Sequence, residues 1–249
     1  MFIGMAALAA GEVAGASAEI GWLNSLAEQA RLQAAMSAQQ KLEASIPGLI
    51  TSLPAGNPNL AWTIDDASDA KVLGLTLDRI AANNLNLTLF VNSSKGSFKI
   101  QAEKLNLLIK TAQVQLGNHS HNHFDLTTLT NAEVKFQLQT CHNFLLDEFG
   151  VDARPYWRPP FRRLDQRVAA VAADLGYTTP TLWNKNLLNA SPNVKPVDVL
   201  ARFKTQAIPG AIMLDHMHGL VADADFAEAL AMLQSANLKT VTLNQAFGE

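Results

Sequence analysis

From residue 59 onward the chain repeats one pattern: a short apolar run, a turn, then a stretch with helical periodicity. Strands are read at Leu60–Asp65, Leu87–Asn92, Leu116–His119, Arg154–Arg158, Thr179–Asn184, Ala211–His216 and Thr240–Leu243. Helices are read between them at Ala70–Asn83, about Gln101–Gln113, Asn131–Phe149, Leu164–Leu175, about Val197–Gln206 and Asp225–Ala236. Such alternation requires a parallel sheet, because parallel neighbours need a crossover long enough to hold a helix. Seven such units suit a small barrel of the TIM type lacking one unit, and equally an open doubly wound sheet. In both architectures ligands bind outside the C-terminal ends of the strands.

That rim is where the polar residues gather. Asp65-Asp66, His119, Arg158, Trp183 and His216 all lie at or next to the C-terminal ends of predicted strands. His119 and His123 are four apart. If the chain turns into a helix after His119, both imidazoles share one face and suit a single ion. Taken alone, the pair suits a solvated helix start better than a metal site. Asp65 and Asp66 are adjacent carboxylates after an apolar strand, and they repel unless a cation is near. On a regular strand they point to opposite faces, so reaching one pocket requires the backbone to leave β geometry there. Arg158-Pro159-Pro160-Phe161 is a rigid loop after an aromatic strand, and Leu214-Asp215-His216 closes another apolar strand.

Jointly these residues carry the parts of an amide hydrolase. Two histidines and one aspartate supply three ligands and leave a fourth position open, as catalytic zinc sites do. A second carboxylate can take a proton from water, and another histidine can protonate a leaving nitrogen.

From about Asn59 to Phe247 the chain resembles the polysaccharide deacetylase family, carbohydrate esterase family 4. Four motifs occur in the family's order: Thr63-Ile64-Asp65-Asp66-Ala67, His119-Ser120-His121-Asn122-His123, Arg158-Pro159-Pro160-Phe161 and Leu214-Asp215-His216. The resemblance implies a distorted (β/α)7 barrel and the removal of N-acetyl or O-acetyl groups from a carbohydrate, an amino-sugar oligomer or polymer first among them. It implies Asp65 as general base, His216 as general acid, and Asp66, His119 and His123 as ligands. Arg158 would orient the base, and the backbone N–H of Phe161 would help hold the oxyanion. Leu214, Trp183 and Pro160 would line the substrate. The ion would be zinc first, with cobalt or nickel as alternatives.

Two departures stand out. Ala67 replaces a glycine and so loses easy access to positive φ. The family's fourth motif, an Asp followed closely by Trp, keeps Trp183 but has no acidic residue between Tyr177 and Val197. Asp174, Asp198 or Asp215 would have to support His216 instead. The alternatives are an amide hydrolase with a small non-polymeric substrate, and a weakly active or inactive carbohydrate-binding protein on the same fold.

The rest of the chain adds limits. A formal charge of -3 without basic clusters argues against nucleic acid. A single cysteine, Cys141, excludes an internal disulfide and reads as a buried apolar residue. The apolar run Phe2–Ala10 is too short to span a bilayer. Ala16-Ser17-Ala18 resembles a signal-peptidase site, although no basic residue precedes the run. Residues 1–18 are thus a signal peptide or an apolar helix, which makes the protein periplasmic or secreted in the first case and cytoplasmic in the second. Residues 19–55 read as an amphipathic helix and a turn-rich linker, and 56–249 as the catalytic domain. The helix would cover the barrel bottom or join two copies as a homo-oligomer.

Overall fold

The computed structural model describes residues 28, 29, 31, 33, 40–191 and 193–248. The N-terminal expectations therefore lie mostly outside the described residues, although residues 40–44 are helical. From Ile46 onward the described residues form one compact unit. None of the described helices is long and apolar enough to cross a membrane.

The fold is a distorted (β/α)7 barrel. Its strands are β1 (Ala61–Asp65), β2 (Leu87–Val91), β3 (Val114–Asn118), β4 (Tyr156–Trp157), β5 (Thr179–Pro180), β6 (Lys185–Asn186) and β7 (Ile212–Asp215). They pair in parallel in the order β5-β4-β3-β2-β1-β7-β6. Segment 50–53 lies between the β5 and β7 regions: Ile50 N–H donates to Pro180 O, Leu182 N–H donates to Ile50 O, and Leu53 N–H donates to Gly210 O. The helices are α1 (Ala70–Asn83), α2 (Ser97–Ile100), α3 (Ala102–Lys110), α4 (Asn131–Phe149), α5 (Gln166–Asp174), α6 (Pro196–Gln206), α7 (Asp223–Ser235) and α8 (Leu243–Phe247).

Strand β1 is buried along its whole length, as a parallel strand covered on both faces must be. Its side chains alternate between two cores. Trp62 and Ile64 join the large layer between sheet and helices, where Trp62 packs edge-on to Phe203 at 5.1 Å. Ala61 joins a small inner core with Leu53, Phe90, Tyr156, Ile212 and Leu243. Thr63 and Asp65 share the inward face with Ala61. Gly117 on β3 makes room there, because a Cβ at that position would sit 2.6 Å from the Phe90 ring.

Three strand expectations need correction. Thr240–Leu243 is not a seventh strand. Thr240 makes only an isolated bridge with Leu60, and Thr242 caps α8 through a capping box with Gln245. The missing strand is instead β6, two residues long, in a stretch just past the strand expected at Thr179–Asn184 where no element was expected. Its place is set by β7, since Leu187 N–H donates to Leu214 O. The fourth strand also shrinks to Tyr156–Trp157.

Helix α4 packs behind β3 and starts at a complete capping box between Thr130 and Glu133. Losing the Thr130 hydroxyl should cost about 1 kcal/mol. We expect Thr130→Ala to lower the melting temperature by about 2–4 °C, as read by thermal denaturation followed by circular dichroism, and an unchanged value would contradict the cap's contribution.

Candidate active site

The C-terminal ends of β1, β3, β4 and β7 bring Asp65, Asp66, His119, His123, Arg158 and His216 to one rim. The centre is a buried ion pair. Arg158 Nη1 lies 2.6 Å from Asp65 Oδ1, and both side chains are almost without solvent contact. The guanidinium also donates to Thr63 Oγ1 at 3.0 Å, Thr181 O at 3.0 Å and Leu182 O at 3.4 Å. It stacks over the Phe90 ring at 4.0 Å. Burial alone would raise the Asp65 carboxyl, but the Arg158 guanidinium, with His119 and His216 nearby, holds it below its ordinary value. Asp65 is therefore ionised at neutral pH.

The chain leaves β geometry immediately after Asp65. Asp66 has φ 64° and Ala67 φ 45°, a left-handed pair that lets both carboxylates reach the same pocket. Ala67 adopts this conformation without the freedom a glycine would have. Asp66 Oδ1 is buried without a hydrogen-bond partner and lies 3.7 Å from His123 Nε2.

His119 and His123 are not on a helix. Residues 119–125 form a loop in which Ser120 and His123 are left-handed, with φ 68° and 58°. The helical spacing predicted for the pair is thus replaced by two backbone reversals that reach the same convergence. His119 Nδ1 lies 2.7 Å from Arg158 O. A carbonyl can only accept, so Nδ1 carries the proton and Nε2 keeps its lone pair. Burial and the His119 imidazole lower the His123 pKa, more than Asp66 and Asp65 raise it. The neutral ring that results is the form that binds metals.

Ligand atoms of Asp66, His119 and His123 all lie within 4.8 Å of one another. One carboxylate oxygen and two imidazole nitrogens suit a divalent ion such as zinc. The orphaned Asp66 Oδ1 fits the same conclusion, because a buried polar atom without a partner costs free energy that a cation would offset.

The remaining residues surround this centre. Phe161 is left-handed (φ 58°) and packs edge-on to His123 at 4.5 Å. Pro160 is buried, and the Trp183 carbonyl accepts from Arg162 Nη1 at 2.9 Å. Leu214 is buried near the end of β7. His216 Nδ1 is buried and has no hydrogen-bond partner among the described residues. Asp215 faces away from it and accepts from Trp62 Nε1 at 2.8 Å, Asn189 Nδ2 at 2.6 Å and Met217 N–H at 2.7 Å. Among the described residues, neither Asp174 nor Asp198 forms a hydrogen bond or ion pair with His216.

The sequence reading passed over the residues that hold this loop and rim. Asn92, Asn118 and Asn189 are fully buried, and Gln137 nearly so. The available signal was an amide side chain closing an apolar strand, in Phe90-Val91-Asn92 and Leu116-Gly117-Asn118.

The comparisons with known proteins agree with this geometry. A family model described as polysaccharide deacetylase matches residues 53–180. Chitin deacetylase 1 of Cryptococcus neoformans var. grubii is 33% identical over 109 residues, which are 44% of this chain and 22% of that protein. The peptidoglycan-N-acetylglucosamine deacetylase PgdA of Listeria monocytogenes is 27% identical over 193 residues, 78% of this chain and 40% of that protein. The chain thus spans well under half the length of these curated relatives. Among solved structures, wild-type BA3943 of Bacillus anthracis, a CE4 family pseudoenzyme, superposes with a TM-score of 0.69 at 20% identity, covering 80% of this chain and 69% of that one.

The ion pair has a signature in stability. With its carboxyl held low, Asp65 contributes stability that is fully present above the unfolded value near 4 and lost as pH falls through the lower folded value. Arg158→Met leaves the buried carboxylate unpaired, which should cost about 3–5 kcal/mol at pH 7. Burial then raises the Asp65 pKa, so the sign reverses. Relative to wild type, metal-free Arg158→Met should regain stability from pH 7 to pH 5. Urea midpoints at both pH values test this, and parallel pH dependence in the two proteins would count against it.

Proposed function

Because the chain belongs to the polysaccharide deacetylase family, we propose that it is a metal-dependent hydrolase removing acetyl groups from a carbohydrate, with an N-acetylated amino-sugar oligomer or polymer as the leading substrate. The observation that carries this reading is the convergence of Asp66, His119 and His123 beside an ionised, arginine-held Asp65. The names of the relatives support the substrate class.

A divalent ion held by Asp66, His119 and His123 would act as a Lewis acid on the acyl carbonyl and bring the pKa of water to about 7. Asp65 takes the proton from the attacking water, and Arg158 fixes its orientation through the 2.6 Å contact. The Phe161 N–H donates to the oxygen on which charge develops. His216 delivers a proton to the leaving nitrogen. Leu214 receives the acetyl methyl, while Pro160 and Trp183 flank the sugar. The Nδ1–H to Arg158 O hydrogen bond keeps the His119 tautomer correct for ligation.

One observation favours a second reading, a weakly active or inactive carbohydrate binder on the same fold. Among the described residues, His216 Nδ1 is buried without a hydrogen-bond partner, so the ring lacks the carboxylate contact that would orient it for proton delivery.

The two readings separate experimentally. Protein loaded with zinc should release acetate from chitooligosaccharides or peptidoglycan, and chelation should abolish the release. Asp65→Asn should lower the rate by about 10²–10⁴-fold while calorimetric metal affinity stays near wild type. Equal inertness of wild type and variant, with metal bound in both, would favour the binder.

A further inference from the structure

Asn92 ends the β2 segment, fully buried, and belongs to none of the four motifs. Its amide faces the loop that carries two of the three candidate ligands. One orientation satisfies all its neighbours. Nδ2 then donates to His121 O at 2.7 Å and to Ser94 Oγ at 2.7 Å, and Oδ1 accepts from His123 N–H at 2.9 Å. The His123 N–H also reaches Ser120 Oγ at 3.2 Å.

This contact falls where the loop is most strained. Ser120 and His123 are both left-handed, and such non-glycine positions cost of order 1–3 kcal/mol each unless their surroundings hold them. Ser120 has its own clamp, because Asn118 Oδ1 accepts its N–H at 2.9 Å while Asn118 Nδ2 donates to Leu138 O on α4. The segment after β2 pairs with the loop through Ser93 N–H to Ser120 O and Ser94 N–H to His121 O. Gln137 Oε1 accepts the Asn122 N–H at 2.7 Å. At His123 the required group must accept from one backbone N–H and donate to a carbonyl two residues earlier. A primary amide does both at once, with donor and acceptor on separate atoms; a carboxylate cannot donate, and an aliphatic side chain does neither.

We infer that Asn92 is a positioning residue for the metal centre: its amide locks the left-handed backbone at His123 and so presents that imidazole beside Asp66 and His119. The inference rests on the metal reading above, and its test separates the two. Co²⁺ serves as the probe, with affinity read by calorimetry and ligand geometry by the visible absorption spectrum. Asn92→Ala should weaken Co²⁺ binding by about 10–100-fold, the usual effect of losing a group that orients a ligand, and should change the spectrum. Asn92→Leu, which keeps the core filled, should behave the same way. Asn86→Ala, at the other end of the same strand, removes a hydrogen bond to Thr240 O and should leave affinity and spectrum unchanged. In metal-free wild type, the His123 amide should resist hydrogen exchange as well as amides within β3 do. Wild-type affinity and spectrum in a folded Asn92 variant would overturn the inference, as would an unprotected His123 amide in wild type. Failure of wild type to bind Co²⁺ would instead sink the metal reading.

Discussion

A positive and a negative charge buried together inside the barrel set the conditions for everything at its rim. Removing two ions from water costs several kcal/mol for each, and their attraction compensates only when the remaining donors and acceptors are also satisfied. Arg158 meets that condition by spending its donors on Asp65, Thr63, Thr181 and Leu182, which lie on or beside β1 and β5. The guanidinium therefore fixes strand ends that regular sheet pairing leaves loosely joined, since β4 and β5 are only two residues long. The Phe90 face beneath it explains why the small inner core needs an aromatic there and why Gly117 beside it carries no side chain.

The same pair dictates the electrostatics one residue further on. Asp65 is ionised because Arg158 keeps it so, which places the Asp66 side chain one residue from a fixed negative charge. No arginine or lysine serves Asp66 among the described residues; its near neighbour is His123. Charge is thus divided along the rim, with the fixed guanidinium on Asp65 and the His123 imidazole beside Asp66. The backbone is bent to allow it. Left-handed residues follow each of the four motif strands: Asp66 and Ala67, Ser120 and His123, Phe161 and Arg162, and Met217. Strain of this kind persists only where neighbouring groups over-determine it, and buried amides such as those of Asn92 and Asn118 do so here.

The parts of this arrangement that were legible in sequence are those written in local chemistry. Helix α4 is read at its observed bounds, since Thr130 and Glu133 form a capping box before it and Gly150 takes the left-handed stop after it. The rim was legible because several polar residues close apolar strands at the same edge of the sheet, the edge where ligand sites form. What could not be read was produced by distant partners. Strand β6 exists because β7 offers it hydrogen bonds, and nothing in Lys185-Asn186 signals that. Thr240–Leu243 alternates like a strand, yet Thr242 and Gln245 also spell a capping box, and the cap prevailed over the alternation. His119 and His123 illustrate the subtler case. Their spacing suggested a shared helix face; the backbone instead turns twice in a loop, because clamps from Asn92, Asn118, Ser120 and Gln137 make that conformation the satisfied one.

His216 marks the point where support runs out. The residue beside it, Asp215, is a buried carboxylate that could have served a histidine, but strand alternation turns it toward the helical layer. There Trp62, Asn189 and the Met217 N–H consume its acceptors. Trp62 in turn packs on Phe203 and Phe226, so moving Asp215 would leave an indole N–H unsatisfied within the core. Reorienting this carboxylate toward His216 is therefore opposed by packing as well as by hydrogen bonding. The two halves of the rim are built to different standards. The loop that carries His119 and His123 is held at several of its backbone polar groups, whereas among the described residues His216 is held through its backbone, by the Asn189 Oδ1 that accepts the His216 N–H at 3.1 Å.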